Sequence, residues 1–324
     1  MRQAFVIRFL GILVILSFII SCIPFKPIVI QVLEPSQVKL GTNYNNVEIH
    51  CEYCGDIKPE MLRDTLDRIN ATVSLNFLHS LKETLEKSPL FQNSEVNLTP
   101  SDSVLLHIKD YKSRVSSNNL LIVLDSIYLN DTILETFNKN LNYNLYTYGI
   151  IHKFGCKVYT TKRMSLVTDY LLQDTVFWTS PEPLLMLAIN DFPDLLNAVW
   201  DTGIKAGEKY GRYLAPYWVE QSRSFYYENV KAFKNAYQLI QTEQLDSAIH
   251  VLNLEAEKIK GNVYKAKILH NIAVTYELKN DFDKAYALID SSLKMNDNKI
   301  TKNYKDELLH RKVTKIALDW QLSN

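Results

Sequence analysis

A break in hydrophobic periodicity at Ser180-Pro181-Glu182-Pro183 constrains this chain more than any other feature. Before it, short alternating or continuous apolar runs of the kind that make strands are interleaved with helical stretches. From about Leu184 onward, apolar residues recur at three- and four-residue spacings. Two closely spaced prolines stop whatever element precedes them. The expectation is an α+β protein: an N-terminal mixed α/β sheet domain over 29–180, a linking helix and junction over 181–223, and an all-α region over 224–324. A chain of 324 residues, 47% hydrophobic, is long enough to bury a core in each.

In the first block, Ile28 to Leu40 and Asn46 to Tyr53 read as strands, the second with Val47, Ile49 and Cys51 alternating. Pro59 suits a first helical turn, and Leu75, Leu78, Leu81 and Leu85 continue that helix until Ser88-Pro89. A short helix is expected from Ser101, with Asp102 and Ser103 in its first turn. Leu120 to Leu124 is a continuous apolar run, as in a central buried strand, and Asp125 to Leu129 continues it. Further strands are expected at Tyr143 to Tyr148, Lys157 to Tyr159, Met164 to Leu172 and Val176 to Trp178. Only nine glycines occur, which argues against propellers and dinucleotide-binding sheets. The order of elements resembles the small α/β domains of periplasmic lipoproteins that assemble envelope machines, a likeness of fold that licenses no function. In the linking helix, Leu184 to about Tyr213, Gly203, Gly207 and Gly211 share one face and permit close backbone approach. Asp201, Lys205, Glu208 and Lys209 exclude a membrane-helix pair there, so tight packing within the protein is expected.

The N-terminus reads as an export signal. Arg2 and Arg8 form a positive region, Phe9 to Ile20 an apolar one too short to span a bilayer comfortably, and Ile19-Ile20-Ser21-Cys22 resembles a bacterial lipobox. That motif implies removal of residues 1–21, a lipid on the Cys22 thiol and a tether over 22–28, where Pro24 and Pro27 break any helix. Ile23 rather than Asp follows the cysteine, and no acidic cluster comes after it. These features point to the outer membrane and a periplasm-facing orientation. Lys plus Arg balances Asp plus Glu at 36 each, so nucleic acid is not an expected partner.

From Ser224 the chain resembles tetratricopeptide repeats, helix-turn-helix units of about 34 residues. Leu269, Ile272, Ala273 and Tyr276, the turn Asn280-Asp281, and Phe282, Ala285 and Ile289 make the clearer unit. Ala232, Ala236 and Leu239, then Leu245, Ala248 and Leu252, make the one before it. Ala248 and Ala285 are 37 apart, so a longer connection is expected around Lys258 to Asn262. A last helix from about Asn303 to Leu322, apolar at Leu308, Leu309, Val313, Ile316, Ala317 and Trp320, is expected to cap the stack.

Val32-Leu33-Glu34-Pro35, together with Arg212, Ala215-Pro216, Trp218, Arg223 and Tyr226-Tyr227, completes a resemblance over nearly the full length. The chain is similar to a family of uncharacterised envelope lipoproteins that join a lipobox, a small α/β domain and C-terminal tetratricopeptide helices. The resemblance implies architecture and no chemistry.

Catalytic signatures are missing. There is no His-Glu-x-x-His, no nucleophile elbow and no phosphate-binding loop, and neither an enzyme nor a cofactor is expected. Cys51-Glu52-Tyr53-Cys54 could be redox-active at a helix start, but no thioredoxin-like order of elements surrounds it, so a structural or incidental disulfide, or Cys51 inside with Cys54 outside, is the first reading. A zinc site from His50, Cys51, Cys54 and Cys156 or His152 lacks a matching second pair. Arg212 and Arg223, with Trp218 between them, mark the junction, either as a recognition surface or as cation–π packing. The function expected is a tethered scaffold that binds an envelope protein in a groove of the repeats lined by Asn235, Gln238, Asn271 and Glu277. Thiol–disulfide chemistry at Cys51 and Cys54, or ligand binding, are the alternatives.

Overall fold

The computed structural model describes residues 25–41, 44–51, 65–98, 119–162, 164–228 and 230–323. Cys22 and the export signal, Cys54, the helix start at Pro59 and the short helix at Ser101 lie outside the described residues. The protein is α+β and divides into two units. Of the described residues, those between 33 and 218 with 318–323 make the sheet unit, and 25–32 with those between 219 and 317 make the helical unit.

In the sheet unit, β2 (Asn46–Cys51), β3 (Glu95–Leu98), β4 (Leu120–Asn138), β5 (Tyr143–Thr160) and β6 (Ser165–Ser180) form one sheet in the order β3-β2-β4-β5-β6. β2 runs parallel to β3 and β4, and the β4-β5-β6 meander is antiparallel. Leu120 to Leu124 are all buried, as the unbroken apolar run predicts. The four strand segments expected between Tyr143 and Trp178 fuse into two long ones. No Gly/Pro turn interrupts either, and polar residues such as Lys153 and Gln173 pair across the meander as ordinary ladder positions.

One sheet face carries two helices. α1 (Thr65–Glu86) buries Val73, Phe77, Leu81 and Leu85 at four-residue spacing, and two residues beyond its end the Ser88 hydroxyl caps the short 3-10 turn Pro89–Phe91. The expected linking helix is two: α2 (Leu185–Asp191) and α3 (Leu195–Leu214). Pro193 disfavours a helical Phe192, and the Asp194 carboxylate then caps α3 by accepting from the Asn197 N–H at 2.9 Å. α3 is not a connector but half of the core, and its glycines lie on α1. A Cβ at Gly203 would stand 2.7 Å from the Val73 carbonyl oxygen, and one at Gly207 only 2.2 Å from that of Phe77. Phe77 stacks on Phe154 of β5 at 4.6 Å, and the Tyr210 hydroxyl donates to the Cys156 carbonyl.

In the helical unit, α4 (Lys231–Gln241) pairs with α5 (Leu245–Lys258), α6 (Asn262–Leu278) with α7 (Phe282–Met295), and α8 (Lys299–Leu322) follows, its last turn from Leu318 counted with the sheet unit. The two hairpins turn identically. Glu243 and Asn280, 37 apart, both have φ near 60°, and the N–H of the next residue reaches back to Leu239 and Tyr276 respectively. Ala236, Ala248, Ala273 and Ala285 are fully buried.

Two strands depart from the sequence reading. The strand expected over Ile28 to Leu40 is β1 (Phe25–Glu34), stopped by Pro35, and it joins no strand of the main sheet. It pairs with β7 (Tyr217–Tyr226), which lies where only helix was expected. Exposure alternates along β7, but Tyr217 to Val219 are all apolar and Glu220 to Ser224 all polar, so no period-2 signal marks this strand in the sequence.

Candidate functional site

The expected groove residues fall into two sets. Asn235 and Gln238 are exposed on α4, whereas Asn271 and Glu277 are buried in α6. Asn271 corrects the groove reading most clearly. Its amide oxygen accepts from the Tyr226 N–H at 2.8 Å, and its amide nitrogen donates to the Tyr226 carbonyl at 3.0 Å. It thus does for β7 what a neighbouring strand would do. β7 has one strand partner, and its other edge needs such satisfaction when buried. His270 extends the same edge, with Nε2 donating to the Ser224 carbonyl at 2.8 Å and Nδ1 accepting from the Thr301 hydroxyl. Burial pushes its pKa down to about 4, the Ser224 carbonyl opposing, so it is neutral.

Glu277 is the centre of a buried charge knot. Arg223, 3% exposed, donates from Nε at 2.9 Å and from Nη2 at 2.8 Å to its two carboxylate oxygens. The Tyr304 hydroxyl donates to the same carboxylate at 2.8 Å, and Arg311 stands 3.4 Å away. Burial opposes the Arg223 charge, but Glu277 and Glu307 outweigh it and hold its pKa above the usual value. Burial next to Glu277 drives the Tyr304 hydroxyl far up. Arg223 is therefore a clamp between β7, α6 and α8, not a recognition anchor. Polar residues on a helix otherwise buried almost all round, as α6 is, were the sequence signal for this role.

The other candidates lie apart. Arg212 pairs with Glu208 on α3 and sits 5.1 Å from the centre of the Tyr217 ring, a cation–π contact within the sheet unit, while Trp218 is half exposed. Cys51 is buried and disulfide-bonded, its partner outside the described residues. Cys156 is a free thiol that burial raises well above its ordinary pKa. Among the described residues no group of His, Cys, Asp or Glu could hold a metal ion, and no helix is long and apolar enough to cross a membrane.

A cleft of about 460 Å³ lies between β6 and α3, lined by Tyr170, Asp174, Lys205, Lys209, Arg212 and Tyr213 among others. Its cations are spent internally. Lys209 pairs with Asp174, Arg212 with Glu208, and Lys205 stands 5.6 Å from the Trp178 ring centre. His152, at the floor of an adjoining pocket, is buried without a hydrogen bond of normal geometry, and burial lowers its pKa against the pull of the Ile150 carbonyl and Asp174.

Exposed apolar surface is the feature that sequence reasoning missed. On and beside α2, Leu184, Leu185, Met186, Leu187 and Ile189 are all exposed, Met186 at 84%, and only Ala188 is buried. Ser180 holds this segment by donating to the Asp191 carboxylate. Since Ser180 lies opposite Tyr146, α2 leaves the sheet at the end where the β4-β5 hairpin turns, and that hairpin exposes Ile133, Leu134, Phe137 and Leu141. On α8 the buried side is Thr301, Tyr304, Leu308, Arg311, Thr314, Leu318 and Gln321. Of the residues expected to cap the stack from inside, only Leu308 is buried; Leu309, Val313, Ile316 and Trp320 face outward, since Arg223 and Glu277 already fill the inner side with partners for polar groups.

Residues 116–226 match a family model described as a domain of unknown function (DUF8603), and residues 234–310 another (DUF6340). No curated protein matches the chain. Among solved structures, the chain is similar to a neuraminyllactose-binding hemagglutinin homolog from Helicobacter pylori. The identity is 9% and the TM-score 0.31, over 56% of this chain and 89% of the other.

Proposed function

We propose that this protein is a lipid-tethered scaffold of the cell envelope that docks another protein through the apolar end of its sheet unit. The observation that carries this reading is α2. A soluble surface rarely exposes contiguous apolar side chains without a use for them, and here five of six consecutive residues are apolar and solvent-facing. The occupant is a protein surface of complementary apolar character rather than a bilayer. A helix that lies in a membrane interface is normally flanked by Lys and Arg, whereas Leu184 to Phe192 contains neither and α2 ends on Asp191. The neutralised cleft between β6 and α3 offers no comparable determinant for a small ligand, and the buried Cys51 none for thiol exchange.

Two further parts of the reading rest on sequence. Cys22 carries the lipid, and Cys22→Ser should abolish labelling by a fatty-acid analogue; undiminished labelling would refute the anchor. The repeated turn geometry and buried alanines of α4 to α7 support reading them as tetratricopeptide repeats that brace the unit. The docking surface is tested by Met186→Asp combined with Leu187→Asp. Thermal stability should be unchanged, and crosslinked adducts of the protein in intact envelopes should disappear. Retention of every adduct would overturn the proposal.

A further inference from the structure

We propose that two copies of this chain pair through the outer face of α8, running antiparallel. The helix carries apolar character on two opposed sides. Its inner side is occupied by Tyr304, Leu308 and Leu318 among polar partners, and its outer side presents Leu309, Val313, Ile316 and Trp320, each at least 49% exposed, with the flexible Lys39 side chain lying 4.0 Å over the Trp320 ring. Their spacing of four, three and four is that of the a and d positions of a coiled coil, a seam that meets another helix rather than water. A helix that only covered the unit would turn a polar face outward.

The seam fits a second copy of itself. Placed antiparallel about a two-fold axis midway between Val313 and Ile316, Leu309 meets the partner's Trp320 and Val313 the partner's Ile316. Four layers follow, each pairing a smaller side chain with a larger one or two β-branched ones. The flanking positions agree. Lys312 and Asp319 occupy the equivalent g positions beside the seam, and in this register Lys312 of each copy faces the partner's Asp319. On the opposite flank His310 faces the partner's Ala317, so no like charges oppose. A parallel pair would set Trp320 against Trp320 and Lys312 beside Ala317, with no opposite charges matched. Lys312 holds Asp283 within its own chain at 2.6 Å, an exposed pair worth little, so it is free to reorient. This pairing is independent of docking at α2.

Sedimentation of the full chain in density-matched detergent tests it. The wild type should show a monomer–dimer equilibrium. Val313→Glu, which buries a charge in the seam, should raise the dissociation constant about tenfold or more. Lys312→Asp, which opposes two carboxylates twice over, should raise it several-fold. Adding Asp319→Lys to Lys312→Asp should restore it to about the wild-type value. Both charge variants lie on the exposed face and leave the core intact. A protein monomeric at every concentration, a dimer indifferent to Val313→Glu, or a double exchange that fails to restore association would each overturn the proposal.

Discussion

The two units solve the same problem, closing a core around a helix, with opposite materials. In the sheet unit, α1 and α3 meet backbone to backbone through Gly203 and Gly207, and the core between them is built mainly from apolar residues at helical spacing, such as Val73, Phe77, Leu81 and Leu85. In the helical unit, α6 meets β7 through Asn271, His270 and the Arg223–Glu277 clamp, and the buried face of α8 mixes Thr301, Arg311, Thr314 and Gln321 with its apolar residues while Leu309, Val313, Ile316 and Trp320 are exposed. Where helices pack on helices and a sheet, shape decides which residues are inside. Where a helix must satisfy the open edge of an isolated two-stranded ribbon, hydrogen-bonding capacity decides, and apolar side chains are displaced to the surface.

The sharpest way to break this comparison is at Glu277. Glu277→Ala removes the buried carboxylate that Arg223 and Arg311 share and leaves Arg223 only the half-exposed Glu307, so chemical denaturation should show a loss of about 3–5 kcal/mol in the helical unit. A loss below about 1 kcal/mol would mean that the clamp is incidental. Gly207→Ala should cost the sheet unit about 3 kcal/mol, since the obstructing atoms are backbone and cannot swing aside. Gly261→Ala, with open space around its site, is the control and should leave melting unchanged.

Acid offers a third probe. His270 is neutral in the fold with a pKa near 4 against an ordinary 6.5, so the unfolded chain binds its proton first. Its contribution is fully present above about pH 6.5 and is lost as pH falls from there toward 4, a difference of about 3 kcal/mol at the acid end. Burial lowers the pKa values of His50 and His152 as well, so the sheet unit should weaken with acid in the same sense. His270→Gln should flatten the acid slope of the helical unit alone. The smallest effect on stability is expected for Asn235→Ala with Gln238→Ala, within about 0.5 kcal/mol, because both side chains are exposed on α4.

Legibility in the sequence follows the same division. The α+β order, the buried run Leu120 to Leu124, the α1 stripe and the Ala248/Ala285 register could be read because each rests on local periodicity. β7 could not be read within a helical context, and β1 was assigned to the wrong sheet because nothing local says which strand will pair with which. Asn271 and Glu277 were read as groove residues because a polar group on a repeat helix usually faces water, and their partners on β7 lie 45 and 54 residues away. The exposed apolar residues of α2 and α8 were the least legible of all, since apolar side chains at helical spacing ordinarily signify a core.

The central claim is that the protein docks through the apolar end of the sheet unit and that the buried polar residues of the helical unit serve the fold. A photo-crosslinking amino acid placed in turn at Met186, Asn235 and Gln238 of the tethered protein, irradiated in intact cells, tests it most directly. The account predicts a discrete protein adduct from Met186 and none from either α4 position. Adducts from Asn235 or Gln238 with none from Met186 would contradict it and return the binding surface to the repeats.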